Sequence, residues 1–305
     1  MVRALGTGVT ARRRVIPGTQ YLLSRRCSER RFFLRPSKAL NEILRYILAV
    51  AAKRYGVTLH ALCVLSNHIH IVLTDVHGRL PEFERYLDSL VARSINALHG
   101  RWESFWAPGS YSAVALVSPQ DVVAKCAYVL ANPVAAGLVR RGSEWPGLWS
   151  APAEIGAGPV QVKRPKHFFR AAGPMPETAA LEFVCPPGFA SAEDFRRQLA
   201  AAVASLEQEA AQEVASSGRT FLGVRQVLAQ RPDDRPSHAE PRRGLNPRIA
   251  ARDKWKRIEA ISRLKSFLAD YRVAWDAFAH GLRNTVFPHG TYWMRVTYGV
   301  RCAPG

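Results

Sequence analysis

The sequence predicts an α+β fold: a ferredoxin-like split β-α-β antiparallel sheet with helices on one face, followed by a mainly helical C-terminal region. Three observations predict it. Across residues 1–150 the hydrophobic period alternates between strand and helix in the order β-α-β-β-α-β-α. Ser66-Asn67 separates two apolar runs and reads as the turn of a hairpin. From Ser191 onward an Ala-rich run and a long apolar repeat at 3–4 spacing replace the strand pattern.

Each element has a local reason. Gln20 to Cys27 is a short apolar run and predicts the first strand. Pro36-Ser37 is a start signal, and Leu40, Ile43, Leu44, Ile47, Leu48 and Ala51 then recur at helical spacing. Val57 to Leu65 and His68 to Leu73 predict the hairpin strands. A second helix runs from about Leu80 to Leu98, with Leu87, Leu90, Val91, Ile95 and Leu98 on one face. Tyr111 to Val117 predicts the fourth strand. Ser118-Pro119, with Asp121 in the first turn, opens a third helix. Pro133 disfavours helical geometry at Asn132, which places Asn132 at that helix's end.

The chain is expected to divide into residues 1–150, a Pro/Gly-rich linker plus one helix over 151–218, and a basic, mostly helical region over 219–305. Breakers such as Gly158-Pro159, Gly173-Pro174 and Pro186-Pro187-Gly188 mark the linker. Ser191, with Asp194 three residues on, resembles a capping box for the helix to Val214. In the last region Phe221 to Leu228 predicts a short helix, and Thr291 to Val300 has strand character. Asn246-Pro247 supplies an N-cap and first-turn proline for a helix to about residue 280. Its apolar face is Ile258, Ile261, Leu264, Leu268, Tyr271, Trp275 and Phe278.

Charge is the unusual feature of the composition. Lys and Arg number 43 against 24 Asp and Glu, a formal +19 in 305 residues. Residues 1–150 hold 20 basic and 9 acidic side chains, 151–218 hold 6 and 8, and 219–305 hold 17 and 7. Two basic blocks flanking a neutral segment imply a polyanionic partner, nucleic acid first. Arg12, Arg13, Arg14, Arg25, Arg26, Arg30 and Arg31 near the first strand are candidate phosphate contacts, as are Arg242, Arg243, Arg252 and Lys256 around the C-terminal helix. The five cysteines are odd in number, scattered, and never paired as CxxC, which points to free thiols in a reducing cytoplasmic setting. No apolar stretch is long enough to span a membrane, and Arg12-Arg13-Arg14 is not followed by a signal-peptide core.

The chemistry centres on His68-Ile69-His70, because side chains two apart on a strand share a face. Two adjacent imidazoles suit a divalent transition metal, and they equally suit a half-solvated polar face. Tyr128 and Asn132 are four apart on the third helix and also share a face. If that face covers the histidines, a phenol and an amide oxygen join them; otherwise Tyr128 packs as core and Asn132 ends the helix.

The residues carry a specific resemblance. His60-Ala61-Leu62-Cys63-Val64-Leu65-Ser66-Asn67-His68-Ile69-His70-Ile71-Val72-Leu73 resembles the HUH strand of the single-tyrosine transposases, in their REP-associated tyrosine transposase branch. Tyr128-Val129-Leu130-Ala131-Asn132-Pro133-Val134, with Ala136-Gly137-Leu138-Val139 after it, resembles that family's tyrosine helix. Trp145-Pro146 and Trp149-Ser150 resemble its closing segment, and the likeness spans roughly residues 15–150. Phe105-Trp106 and Cys126-Ala127 depart from the usual pattern without touching a site residue.

The resemblance implies metal-assisted transesterification on single-stranded hairpin DNA by a monomer or homodimer. Tyr128 would be the nucleophile, forming a 5′-phosphotyrosine link. His68, His70 and Asn132 would hold Mg²⁺ or Mn²⁺, and the enzyme would be nucleoid-associated in the cytoplasm. Imidazole pairs also suit Zn²⁺. A catalytically silent DNA- or RNA-binding protein of the same fold is the alternative. A zinc hydrolase ranks last, since no HExxH motif and no carboxylate but Asp75 lies near the histidines.

Overall fold

A computed structural model describes residues 12–109, 111–237 and 247–305. The N-terminal half follows the expected order. Strand β1 (Thr19–Arg26) leads to helix α1 (Lys38–Tyr55), whose N-cap is Ser37; its hydroxyl accepts from Leu40 N–H. Helix α1 ends at Gly56 in the left-handed region (φ 63°), where a Cβ would meet the His77 ring. Strands β2 (Val57–Leu65) and β3 (His68–Asp75) form the hairpin, followed by α2 (Leu80–Leu98), β4 (Ser112–Leu116) and α3 (Pro119–Ala135).

The main sheet runs β2-β3-β1-β4-β7. The first four strands pair antiparallel, with Arg26 opposite His68, Ser24 opposite His70 and Leu22 opposite Val72. The fifth strand, β7 (Ile249–Ala250), comes from the C-terminal region and pairs parallel with β4, so the complete sheet is mixed. Pairing covers an edge that β4 would otherwise leave open.

Side-chain alternation gives the sheet two different faces. Leu23, Ile69 and Ile71 face α2, meeting Glu84 and Leu87, and α1 packs beside α2. The opposite face, carrying Ser24, Arg26, His68 and His70, is covered by α3, which packs on β2 and β3. The crossover helices α1 and α2 therefore share a face, and the third helix takes the other. Tyr46, Phe33, Phe83 and Phe195 are among the largest fully buried side chains.

The Pro/Gly-rich stretch after residue 150 is packed. It contains a hairpin of β5 (Val160–Lys163) and β6 (Thr178–Leu181) that lies on α1, and Ile155, Phe169, Leu181 and Phe183 enter the main core. Helix α4 (Ala192–Ser216), N-capped by Ser191, lies along α3 and buries Phe195, Leu199 and Val203. Turn chemistry set the breakers; an apolar residue every few positions between them set the packing.

The C-terminal region departs from expectation in three places. Helix α5 (Val224–Ala229) is shorter than its pattern. Helix α6 (Lys254–Ala279) starts later than Pro247, because residues 249–250 extend into β7 and Asp253 caps the helix by accepting from Lys256 N–H. Asn246, read as the cap, lies outside the described residues. The stretch read as a strand at Thr291 to Val300 forms helix α7 (Trp293–Tyr298), ended by left-handed Gly299. Met294 is fully buried there while Trp293, Val296 and Tyr298 are exposed, so one anchor and a glycine cap outweigh β-branched and aromatic propensity. With Phe267, Tyr271 and Phe278 of α6 and with Phe287, Met294 builds a separate small core.

Candidate active site

Helix α3 is fixed at its start by a capping box: Ser118 Oγ accepts from Asp121 N–H, and Asp121 Oδ2 accepts from Ser118 N–H. It continues through Pro133 to Ala135, so Asn132 is a buried residue of the last turn and not its terminus. Proline near a helix end removes one hydrogen bond, and α4 packed along α3 holds the axis. Trp149 Nε1–H donates to the Leu130 carbonyl and Trp145 Nε1–H to the Val64 carbonyl, tying α3 and β2 to one closing segment.

This frame brings the four expected residues together. The His68 and His70 rings lie 4.7 Å apart edge to face, and the His70 ring is 5.6 Å from that of Tyr128. The Asn132 side chain hydrogen-bonds His68. Tyr128 is 42% exposed, enough for its hydroxyl to meet a large substrate, which excludes the reading as core.

Each imidazole is held by an oxygen at Nδ1. His68 Nδ1 lies 2.6 Å from Asn67 Oδ1, and His70 Nδ1 lies 2.7 Å from Ser24 Oγ. The Asn67 oxygen only accepts, so His68 carries its proton on Nδ1 and keeps a lone pair on Nε2; His70 offers Nε2 in the same way in the tautomer whose Nδ1–H donates to Ser24. Burial is the main cause that holds His68 well below the ordinary histidine range, with the charges of His70 and Arg26 adding to it. Burial and Arg26 likewise bring His70 down to about 4. Both rings are therefore neutral at pH 7, the form that ligates metal. No group of three or more His, Cys, Asp or Glu side chains is placed to hold a metal among the described residues. The donor set is two imidazoles and one amide, neutral throughout; it fits a divalent cation that also takes anionic oxygens from a substrate.

Positive charge borders this cluster. Lys125, one turn before Tyr128, sets its ammonium 5.5 Å from the Tyr128 ring, and Arg26 and Arg30 are close enough to act on His68. Ser24, Asn67 and Lys125 escape a motif reading. The strand register could have found Ser24, and i, i+3 spacing could have found Lys125.

The other candidate cations separate. Arg25 points to the α2 face, pairs with Asp88 at 3.0 Å and donates to the Gly109 carbonyl. Arg12 lies over Tyr271 and Trp275, Arg13 stacks on Tyr111, and Arg14 bridges to Thr291. Arg31 pairs with Glu29 and donates to the Asp233 carbonyl. The side chains of Arg12, Arg13, Arg25 and Arg31 have internal partners instead of forming one phosphate-facing row. Arg252 and Lys256 are exposed at the start of α6, while Arg242 and Arg243 lie outside the described residues.

Fold and site together define the class: a split β-α-β sheet whose paired-histidine strand lies under a helix carrying a tyrosine and an asparagine four apart. In these residues the chain resembles the REP-associated tyrosine transposases. Among solved structures it is similar to a REP-associated tyrosine transposase bound to a REP hairpin, at 20% identity and TM-score 0.39, over 46% of this chain and 81% of that one. It is also similar to a protein described as a transposase from Deinococcus radiodurans R1, at 23% identity and TM-score 0.28, over 38% of this chain and 88% of that one. No family model and no curated protein matches the sequence. No helix among the described residues is long and apolar enough to cross a membrane.

Proposed function

We propose that this protein cleaves and rejoins single-stranded DNA at hairpins, as a transposase that uses Tyr128 as nucleophile. The observation that carries the reading is the convergence of the Tyr128 ring, the two neutral imidazoles and the Asn132 amide in one partly open site.

The chemistry follows from the groups present. A neutral phenol is a weak nucleophile and needs an electrophile sharpened by positive charge. His68, His70 and Asn132 would hold Mg²⁺ or Mn²⁺, which when bound supplies Lewis-acid polarisation of the phosphate. The Tyr128 hydroxyl oxygen then bonds to phosphorus and loses its proton, while the bond to the 3′ oxygen breaks and that oxygen leaves as a 3′-OH. The product is a 5′-phosphotyrosine link. Attack by another 3′-OH reverses the step on a new strand, with one phosphoester exchanged for another and no nucleotide hydrolysed. Lys125 and Arg26 offset the charge of the phosphate oxygens. Ser24 and Asn67 keep the imidazoles aimed.

The test is a labelled single-stranded hairpin, drawn from DNA flanking the gene, incubated with Mn²⁺ and run on a denaturing gel. The wild-type chain should give a covalent protein–DNA band that Tyr128→Phe and chelator both abolish. Binding without any metal-dependent covalent species would overturn the enzyme reading in favour of the silent DNA-binding alternative.

A further inference from the structure

Trp102 is 87% exposed, the largest fraction among the exposed large hydrophobic side chains of the described residues. It stands on the connection between α2 and β4, and that connection is braced. Arg101 N–H donates to the Asn96 carbonyl at 2.7 Å, Asn96 Nδ2 donates to the Glu103 carbonyl at 2.8 Å, and Trp106 Nε1–H donates to the Asp88 carbonyl at 2.9 Å. Arg101 also lies 3.9 Å from the centre of the Phe33 ring. The backbone on both sides of Trp102 is thus pinned while its indole faces solvent.

The braced loop is zipped to the end of β1 that borders the active site. Ala107 N–H donates to the Arg26 carbonyl, Ser28 N–H donates to the Phe105 carbonyl, and Trp106 bridges to Cys27. Arg26 is the cross-strand partner of His68. Four residues of extended chain span at most ~14 Å, so Trp102 lies within that reach of the bridge. Directly after Cys27 comes the turn Ser28–Arg30, in which Glu29 (φ 51°) and Arg30 (φ 60°) are both left-handed. Consecutive non-glycine residues in that region are strained, and such strain concentrates where a side chain must be presented in one direction. Here the presented cation is Arg30, close enough to act electrostatically on His68.

An exposed indole on a braced loop, joined through the backbone to the strand end that carries Arg26, suits unpaired nucleic acid: bases stack on the ring and cations track the backbone. We propose that Trp102 is a stacking platform for an unpaired base of the DNA strand flanking the scissile phosphate, with Arg26 and Arg30 carrying the phosphates between Trp102 and Tyr128. The inference rests on the proposed function and adds a subsite to it.

The test uses the full chain carrying Tyr128→Phe, which cannot cleave, and two probes: the flanking-DNA hairpin with blunt ends, and the same hairpin with about ten unpaired nucleotides on each end. Binding is read by anisotropy and by quenching of tryptophan emission. Trp102→Ala should weaken the extended hairpin about 5- to 100-fold, the range expected for loss of one stacked base, and leave the blunt hairpin unchanged. Trp102→Phe should recover most of the affinity, and Trp255→Ala, removing an indole on α6 that is 73% exposed, should change nothing. Equal affinity of the parent and Trp102→Ala proteins for the extended hairpin would overturn the subsite alone. If the parent binds neither hairpin, the proposed function fails with it. An RNA extension that binds more tightly and responds equally to Trp102→Ala would reassign the platform to RNA and overturn the DNA proposal.

Discussion

The Arg252 backbone N–H donates to Asp121 Oδ1 at 2.6 Å, joining the C-terminal region to the cap of the tyrosine helix. The other carboxylate oxygen of Asp121 accepts from both the backbone N–H and the hydroxyl of Ser118. One buried carboxylate therefore starts α3 and docks the segment that becomes β7. Asp121→Ala should destabilise the protein by about 2–3 kcal/mol, the sum of a lost cap and a stranded buried donor, measured by urea unfolding. Asp121→Asn keeps one acceptor and should lose less. Equal losses in the two variants would show that the carboxylate bonds do not matter.

The imidazole supports should govern metal binding more than DNA binding. Asn67→Ala and Ser24→Ala each free one ring from its Nδ1 partner. Removal of such an outer partner weakens metal affinity about 10–100-fold. Titration of Mn²⁺ against adduct formation should show the midpoint moving up by that factor, with hairpin affinity in the absence of metal unchanged. A midpoint that stays in place would separate these bonds from the metal.

His60 gives a pH-dependent stability with a definite sign. Its Nδ1 lies 2.7 Å from the Val184 carbonyl and its Nε2 lies 2.7 Å from Thr74 Oγ1, and burial lowers its pKa to about 4. Between pH 6.5 and 4 the unfolded chain binds a proton at this position that the folded chain does not, so stability falls as pH falls through that window. The full effect is about 3 kcal/mol at the acid end. His68 and His70 act with the same sign, and the buried carboxylates Glu84 and Asp88, raised by burial, act against it. The difference between wild type and His60→Gln isolates the term: urea unfolding at pH 7 and at pH 4.5 should show the variant losing less stability on acidification.

The residues that made the active site legible were those whose chemistry depends on spacing along one element. His68 and His70 share a strand face, Tyr128 and Asn132 a helix face, and Ser118 with Asp121 marks the helix start; each is a local fact. Whether α3 covers the histidines was not local, since it depends on which face of the sheet the third helix takes. The C-terminal errors have the same origin. Residues 249–250 become a strand because β4 offers a free edge, and residues 293–298 become a helix because Met294 packs into the small core of Phe267, Tyr271, Phe278 and Phe287. No window of neighbouring residues contains either reason. Among the arginines, composition counted charges correctly but could not assign faces: Arg25 and Arg26 are adjacent in sequence and point to opposite sides of β1.

That opposition yields a paired prediction. Arg25 pairs with Asp88, both side chains being less than a fifth exposed, next to the fully buried Glu84. Burial lifts the Asp88 carboxyl to about 6 even though Arg25 pulls it down, so removing the guanidinium leaves a desolvated acid without its cation. Arg25→Gln should cost about 3 kcal/mol of stability and leave the salt dependence of DNA binding unchanged. Arg26 faces the histidines from an exposed position. Arg26→Gln should reduce the slope of log affinity against log salt by about one. Urea unfolding and anisotropy at several salt concentrations read both quantities on both variants. The salt slope should move in Arg26→Gln alone; a reduced slope in Arg25→Gln would return Arg25 to the phosphate contacts that its sequence position suggests.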